Sequence, residues 1–542
     1  MRLALASFFT LLVLFGFLFS VILLGAYLLG YIEWYLLLGL TIFFNFLLWL
    51  FSPYIGDFVN KWFYKMKFIG IDGLRKIDKE LADFVEKTCK KNGIKVPKIG
   101  YIPDDNPQSF TYGSASFNAR IVFTQGIIEY LDSNERKAVF GHELGHIIHR
   151  DFIVMSVAST ILQLMYELYW IFTRTRGKRE EKSKLFIVGI ISYVFYWIGT
   201  YIVLFLSRLR EYYADEFSAQ ATGNPNYLSS ALLKIAYGIL AKPDKENEIR
   251  LMKSTRTLGI FDFKSAKQVG LLYADALRSR SFGMIEKSFL FDLKNPWAFF
   301  IELSSTHPLT GKRIRRLCKL ASKMKKKPLF DFKKIEAFPV DKKKLYEGFL
   351  IDVIMLYLPV FMILAGILCL FVGFIFRLSF IPLILIGKSL IILFGLGIIF
   401  QTLYKYREKE FRKSSVSELM SNVYASPIRG IPAELKGKVI GKGIPGFIFS
   451  EDMMFQDKSG LIYLNYESLI PLFGNLAFAW WKVKKLINKP CSVKGWFVRG
   501  MAPLFELKEL NTKEEKIKGR VRTIGLVIGF FIIILGLFLF ML

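Results

Sequence analysis

Long uninterrupted apolar segments constrain this chain more than any other feature of its sequence. A helix that rises 1.5 Å per residue needs about 20 residues to cross about 30 Å of hydrocarbon. The segments that reach this length are 3–24, 34–52, 185–206, 349–376, 378–404 and 523–542. Segment 152–172 is weaker because Glu167 lies inside it. The sequence therefore predicts a multi-pass α-helical membrane protein with six or seven membrane segments.

The net charge of +29 has two possible explanations. Basic surfaces neutralise phosphates in nucleic-acid-binding proteins. Here, however, lysines and arginines flank the apolar segments, as at 61–67, 405–409 and 516–520, and the cytoplasmic ends of membrane helices collect such residues. We therefore expect the lipid bilayer as a partner, do not expect nucleic acid, and place residues 53–151 in the cytoplasm.

Three of the four histidines lie within one predicted helix, whose start Asp132 and Glu135 would cap. His142 and His146, in the sequence His-Glu-Leu-Gly-His, stand one turn apart and can bind one Zn²⁺ from the same face. Glu143 could then act as the general base on a water molecule bound to the zinc. His149 shares this face, and we interpret it as a supporting or surface residue rather than a ligand.

A catalytic zinc needs a third protein ligand and one open position. The extended motif HExxHxxGxxH is absent, because His149 and Phe152 replace its glycine and its last histidine. A carboxylate on another helix is therefore expected, and Glu211 in SRLREYYADEFSA is the best candidate. Asp215, one turn further on, would accept a hydrogen bond from a ligand histidine.

Three motifs together resemble the HtpX family of membrane zinc metalloproteases over about residues 1–320: GHELGHIIHRD, SRLREYYADEFSA and STHPLTGKRIRRL. The resemblance implies a zinc metalloendopeptidase of membrane-protein quality control in the plasma membrane of a prokaryote, with its active site facing the cytoplasm. It implies peptide or membrane-protein substrates, one zinc per chain, and Glu211 as the third ligand. The family's HPxxxxR motif maps to His307 and Arg313, which would stabilise the developing oxyanion.

Segment 119–124 is predicted to be a strand. Related zinc proteases pair an extended peptide with an edge strand, so this segment is a candidate for the same role. The corresponding substrate-binding residues would be Arg120, Ile121, Val122 and Phe123. For Phe110, Tyr112 and Gly113, just before the strand, a structural role and substrate contact remain equally open.

The segments and motifs predict seven parts. The first four are a transmembrane hairpin (1–52), a first catalytic part (53–151), a transmembrane or re-entrant hairpin (152–207) and a second catalytic part (208–348). A transmembrane hairpin (349–404), a cytoplasmic OB-like β-barrel domain (405–520) and a C-terminal transmembrane helix (521–542) follow. The fold class is thus a helical membrane protein with a mainly α zincin-like domain, which contains a small sheet, and an OB-like domain. Trp480, Trp481 and Trp496 could lie in the core of the β domain or face the membrane.

Two points stay open from the residues alone. The loop RTRGKREEKSK is strongly basic, so the hairpin 152–207 either breaks the positive-inside bias or does not cross fully. A CAAX-type processing protease and a non-catalytic scaffold with a structural zinc site remain alternatives. An intramembrane protease fits less well, because His149, Arg150 and Asp151 follow the zinc motif directly.

Overall fold

The computed structural model describes residues 14, 16–18, 21–22, 34–64, 66–102, 109–174, 179–238, 283–376, 380–442, 451–459, 461–487, 489–500 and 503–541. The chain forms two compact units. The first comprises residues 1–238, 257–266 and 300–331, and the second comprises residues 239–256, 267–299 and 332–542. Most of the predicted segment 3–24 lies outside the described residues.

The helices up to residue 238 are α1 (Trp34–Tyr64), α2 (Gly70–Ile77), α3 (Lys79–Lys91), α4 (Gln125–Tyr130), α5 (Ser133–Ile148), α6 (Asp151–Arg174), α7 (Arg179–Thr222) and α8 (Pro225–Gly238). Those from residue 283 onwards are α9 (Gly283–Lys294), α10 (Pro296–Leu303), α11 (Thr310–Lys323), α12 (Phe332–Ala337), α13 (Lys342–Ile375), α14 (Phe380–Lys405), α15 (Val416–Met420), α16 (Pro471–Trp481), α17 (Val483–Leu486) and α18 (Val521–Met541).

Six stretches within the described helices are long and apolar enough to cross a membrane: Ile42–Trp62, Asp151–Arg174, Ser183–Thr222, Lys342–Ile375, Lys388–Lys405 and Val521–Leu539. They support the prediction of a membrane protein with several spans. The helix predicted at 34–52 continues to Tyr64. Large apolar side chains on its surface, such as Phe58 and Trp62, are exposed, as expected for a helix that contacts lipid.

The first unit contains a four-stranded sheet with the order β1-β2-β4-β3. Its strands are β1 (Lys67–Phe68), β2 (Lys98–Ile102), β3 (Ser109–Gly113) and β4 (Ala119–Thr124). The strand predicted at 119–124 is confirmed, but its predicted edge position is wrong. β4 pairs in parallel with β2 on one side and antiparallel with β3 on the other. The β3 strand is therefore the edge strand on that side of the described sheet.

Helix α5 forms where the sequence predicts it. Asp132 accepts hydrogen bonds from the backbone of Asn134 and Glu135, and Glu135 bonds back to the Asp132 amide, which completes the capping box. Four buried apolar side chains of α5 pack into the main core of this unit, together with Ile121 and Phe123 of the sheet: Val139, Phe140, Leu144 and Ile147. The cap and the apolar face fix both the start and the rotation of the helix.

Two glycines of α5 allow it to approach α7 very closely. A Cβ atom on Gly145 would lie 3.0 Å from the Cα of Ala214, and one on Gly141 would lie 3.3 Å from the Cα of Ser218. The two glycines are one helical turn apart, and so are Ala214 and Ser218. The backbones of α5 and α7 are therefore in close contact along a seam formed by these four residues. The glycines of the zinc motif therefore bring the face of α7 that carries Glu211 up to the histidines.

Helix α7 is continuous across the predicted boundary at 207/208. It contains 44 residues and is about 66 Å long, roughly twice the thickness of a bilayer. Its apolar part corresponds to the predicted segment 185–206, and its last turns carry the polar motif with Glu211. One rigid element thus joins a candidate membrane span to the candidate site.

The second unit contains a closed five-stranded barrel. Its strands are β6 (Ile431–Lys442), β7 (Met453–Gln456), β8 (Leu461–Asn465), β9 (Pro490–Arg499) and β10 (Pro503–Asn511), paired in the closed order β6-β7-β8-β10-β9-β6. All pairs are antiparallel except β8 with β10. The short strands β5 (Arg412–Lys413) and β11 (Lys516–Lys518) extend it. Trp496 is buried, whereas Trp480 and Trp481 are exposed.

Candidate active site

The structure brings His142, His146 and Glu211 together. The two Nε2 atoms of the histidines are 3.1 Å apart. The carboxylate oxygens of Glu211 lie 3.6 Å from Nε2 of His142 and 3.5 Å from Nε2 of His146. One ligand atom from each residue lies within 4.8 Å of both others. The three side chains that the sequence suggested as metal ligands thus lie together in the structure.

The geometry of these three residues fits a zinc ion. Ligand atoms about 2.0–2.1 Å from one tetrahedral ion are roughly 3.3 Å from each other, close to the separations observed here. Oε2 of Glu211 is buried and makes no hydrogen bond. Its ion-pair partner is Arg313, whose Nη1 lies 3.3 Å away, and a buried carboxylate is stabilised by such a cation or by a metal. The donor set therefore suits a site in which three residues bind zinc and one position stays open.

The Nδ1 atoms of both histidines face carboxylates. Nδ1 of His142 lies 2.9 Å from Oδ1 of Asp215, the residue that the sequence suggested as the partner of a ligand histidine. Nδ1 of His146 is 2.6 Å from Oδ2 of Asp151, a residue for which the sequence analysis gave no role in the site. Each carboxylate favours the tautomer that leaves Nε2 free for the metal. The signal for Asp151 is its position, five residues after His146, where the turn between α5 and α6 brings it back to the ring.

Asp151 is itself held by Arg210. Nε of Arg210 donates to Oδ1 of Asp151 at 2.6 Å, and Nη2 of Arg210 donates to the carbonyl oxygen of His149 at 2.9 Å. Both side chains are buried. Burial lowers the pKa of His146, but the hydrogen bond that His146 donates to Asp151 and the charge of Glu211 outweigh this effect and raise the pKa to about 9. Because zinc binds the neutral imidazole, zinc binding at this site would release a proton.

Replacement of Asp151 by asparagine is expected to weaken zinc binding by roughly 10- to 100-fold, the usual effect of losing a residue that orients a metal ligand. The amide can still accept from His146, but it cannot neutralise Arg210 or polarise the ring. Zinc affinity measured by competition with a fluorescent chelator tests this. Asp72→Asn makes the same chemical change at an exposed carboxylate and serves as the control. Equal affinities in the two variants would contradict the role of Asp151.

Glu143 projects into the same buried region. Its Oε2 accepts a hydrogen bond from the hydroxyl group of Thr111 on β3, and its Oε1 has no hydrogen-bond partner. Burial raises the pKa of Glu143, although the nearby histidines oppose this shift. One oxygen is thus fixed and the other is available, which suits a group that accepts and returns a proton. Thr111 was missed by the sequence analysis, since its distance from the motif along the chain gives no local signal.

His307 and Arg313 both reach Glu211. Nδ1 of His307 lies 3.2 Å from Oε1 of Glu211, and Nη1 of Arg313 lies 3.3 Å from Oε2. Nε of Arg313 also donates to Oδ2 of Asp215 at 2.9 Å. Arg313 is only 1% exposed, whereas the His307 side chain is 22% exposed. The motif predicted from resemblance is therefore at the site, but only its histidine is accessible to a substrate.

The remaining candidates lie outside the group formed by His142, His146 and Glu211. Arg120, Ile121, Val122 and Phe123 are fully buried, and Arg120 forms an ion pair with Asp57 of α1. They stabilise the sheet rather than present an open edge. The ring of His149 packs against Tyr213 and Phe217, outside the group of three ligands.

Comparison with known proteins agrees with the family resemblance of the three sequence motifs. Residues 75–321 match Peptidase family M48. The protease HtpX homologue of Aquifex aeolicus is 31% identical over 49% of this chain and 82% of its own length. The homologue of Aeropyrum pernix is 32% identical over 51% of this chain and 83% of its own length. The chain belongs to the HtpX family of proteases.

The match to Peptidase family M48 covers all the residues of the candidate site and ends before α12. The homologue of Methanothermobacter thermautotrophicus is 39% identical, but the alignment spans only 58% of that protein. No solved structure gives a significant match. Family membership therefore bears on the site and on protease activity, while the barrel has to be interpreted from its own residues.

Proposed function

We propose that this HtpX-family protease is a zinc-dependent endopeptidase that uses Glu143 as its general base. The observation that carries the proposal is the convergence of His142, His146 and Glu211, with Glu143 placed beside them. When bound, zinc supplies a Lewis acid that polarises the scissile carbonyl and makes water acidic near neutral pH. The chain itself then has to move one proton, stabilise negative charge and hold the peptide.

Glu143 performs the proton transfers. Its free Oε1 accepts a proton from the attacking water and later delivers it to the leaving amine, while Thr111 holds Oε2. His307 donates a hydrogen bond to the oxyanion that develops on the scissile carbonyl. Arg313 acts as a positioning residue, because its buried guanidinium group fixes Glu211 and Asp215 instead of facing the substrate.

The peptide is proposed to pair with β3. This strand has a free edge within the described sheet, and Thr111 in its centre touches Glu143. An extended peptide added to this edge would place its backbone next to the general base and be held by main-chain hydrogen bonds. Such binding depends little on side chains, which suits misfolded or unassembled membrane proteins of varied sequence as substrates.

The site is proposed to lie just beside the cytoplasmic face of a prokaryotic plasma membrane. The C-terminal part of α1, which belongs to a candidate span, is bonded to the sheet, because Asp57 accepts hydrogen bonds from Arg120 and from the hydroxyl group of Tyr112. On the other side, α7 leads from a candidate span directly to Glu211. Two candidate spans thus hold the zinc ligands and the substrate strand close to the bilayer.

The barrel is proposed to be OB-like. Its order β6-β7-β8-β10-β9 with a parallel β8-β10 pair, and a helix between β8 and β9, supports the prediction made from the alternating pattern.

Removal of zinc tests the proposal most directly. Treatment of the detergent-solubilised protein with a strong chelator is expected to abolish casein cleavage, and one equivalent of Zn²⁺ should restore it. The melting temperature should also fall, since a ligand at 100 times its Kd stabilises the folded state by about 2.7 kcal/mol. Cleavage by metal-free protein would contradict the proposed mechanism. Zinc binding without cleavage would favour the scaffold alternative, and cleavage of prenylated peptides alone would favour CAAX-type processing.

A further inference from the structure

A cluster of apolar side chains lies exposed on the barrel. Leu469 and Ile470 are 60% and 62% exposed, and Phe473 and Trp481 of α16 are 73% and 65% exposed. Leu476, which lies between Phe473 and Trp481 in the sequence, is 38% exposed. Phe473, Leu476 and Trp481 follow the spacing of one helix face. These five residues are named the α16 face.

The opposite side of α16 anchors it to the barrel. Phe478 is buried and stacks on Tyr466, with the ring centroids 3.7 Å apart, and Ala479 is fully buried. Asn475 is also buried. The orientation of the helix is therefore fixed by packing, and the exposure of the α16 face follows from it. Clusters of exposed large apolar residues usually mark an interaction site.

Hydrogen bonds connect this helix to the point where the chain enters α18. The Asn475 side chain donates to Oε1 of Glu467 at 2.9 Å and accepts from the backbone amide of Ser468 at 2.8 Å. The amide of Arg520 donates to the carbonyl oxygen of Glu467 at 2.7 Å. The next residue, Val521, begins α18, which contains a candidate membrane span. Leu469 and Ile470 thus follow closely after Glu467, whose carbonyl oxygen binds the residue just before α18.

We propose that the α16 face inserts into the interfacial layer of the lipid bilayer beside the start of α18. Tryptophan, phenylalanine and leucine are the residues that interfacial helices bury in this layer. Lys482 and Lys485 lie after the helix and are exposed. Lys482 pairs with Glu515, whereas the ammonium group of Lys485 can reach a lipid phosphate while its stem lies along apolar surface. Both α16 and α18 then hold the barrel at the membrane. Two points of attachment fix the rotation of the barrel about the membrane normal.

Depth-dependent quenching in the full-length protein tests this proposal. The exposed cysteine in α13 is first removed as Cys369→Ser, since the other three cysteines are buried. A bimane label is then attached to Phe473→Cys, and the protein is reconstituted into nanodiscs containing lipids with a nitroxide near the headgroup. Lys436→Cys provides the matched control on the barrel. Lys436 is exposed on β6, six residues after Gly430, whose amide donates to the carbonyl oxygen of Lys405 at the end of α14. At the rise of a strand, six residues place Lys436 about 20 Å from Gly430.

The label at position 473 is expected to be quenched several-fold more by the nitroxide lipid than the label at 436, and several-fold less by aqueous iodide. Equal iodide quenching at the two positions would overturn the proposal, because the α16 face would then be in water. Protection of position 473 from both quenchers would overturn it in favour of a protein partner. If Phe473→Cys does not fold, Trp481→Cys on the same face gives the same readout.

Discussion

Replacement of Glu143 by glutamine is expected to reduce casein cleavage by roughly 10²- to 10⁴-fold, the usual contribution of general acid–base catalysis. Glutamine has the same shape and can still accept the hydrogen bond from Thr111, but it cannot take a proton from water. Zinc content should stay near that of the wild type, because Glu143 is not one of the three residues with metal-ligand geometry. Initial cleavage rates and metal analysis on the same preparation check both parts.

Glu80→Gln is a suitable control for this variant. Glu80 is an exposed residue of the same unit, where it binds Lys137 at the start of α5. The same chemical change there should alter neither cleavage nor zinc content. Wild-type cleavage by Glu143→Gln would remove the general base from the mechanism. Loss of zinc together with activity would instead show that Glu143 helps to bind the metal.

The sequence predicted those parts of the site that depend on short-range periodicity. His142 and His146 meet because they are one turn apart on a capped helix, and Asp215 follows Glu211 by one turn on α7. The approach of the two helices also has a local origin, in the small residues of the seam: Gly141 and Gly145 on α5 against Ala214 and Ser218 on α7. The spacings of the histidines and of Glu211 and Asp215 are set within each helix and appear in the structure as expected, whereas the seam was found in the structure.

Strand order was not predictable in this way. The strand-forming residues of segment 119–124 located β4 correctly, but the sequence of one strand does not reveal how many neighbours it has. β3 pairs on the outside of β4, and it thereby takes the edge position and brings Thr111 to Glu143. In the structure all of β4 is buried, with no alternation between its two faces, as expected for a central strand.

The position of Arg313 within the site was not predictable for a related reason. A motif shows that an arginine belongs to the site, but not which side of the zinc ligands it occupies. In the structure Arg313 lies behind Glu211 and Asp215, where it neutralises two buried carboxylates. Together with Arg210 behind Asp151, it gives the site two buried guanidinium groups. These cations allow three carboxylates to stay buried and charged around two histidines, which a metal site requires before it can bind its ion.

Replacement of Glu211 by glutamine is expected to have the second largest effect, with loss of both zinc and cleavage. The neutral amide is a weaker ligand, and it leaves Arg313 with one carboxylate partner fewer. Zinc affinity should fall by more than the 10- to 100-fold expected for the residues that only orient ligands. Isothermal titration with Zn²⁺ measures this effect, and a large excess of Zn²⁺ should restore part of the activity if the fold is intact.

Glu216→Gln is the matched control for this second variant. Glu216 lies on the same helix, is partly exposed and contacts Arg316 at 3.4 Å, away from the histidines. It should bind zinc and cleave casein like the wild type. If Glu211→Gln also retained stoichiometric zinc and full cleavage, the third ligand would have to come from another residue. The short distances between Glu211 and both imidazoles would then reflect ion pairing alone, and α7 would serve only to anchor the site to the membrane.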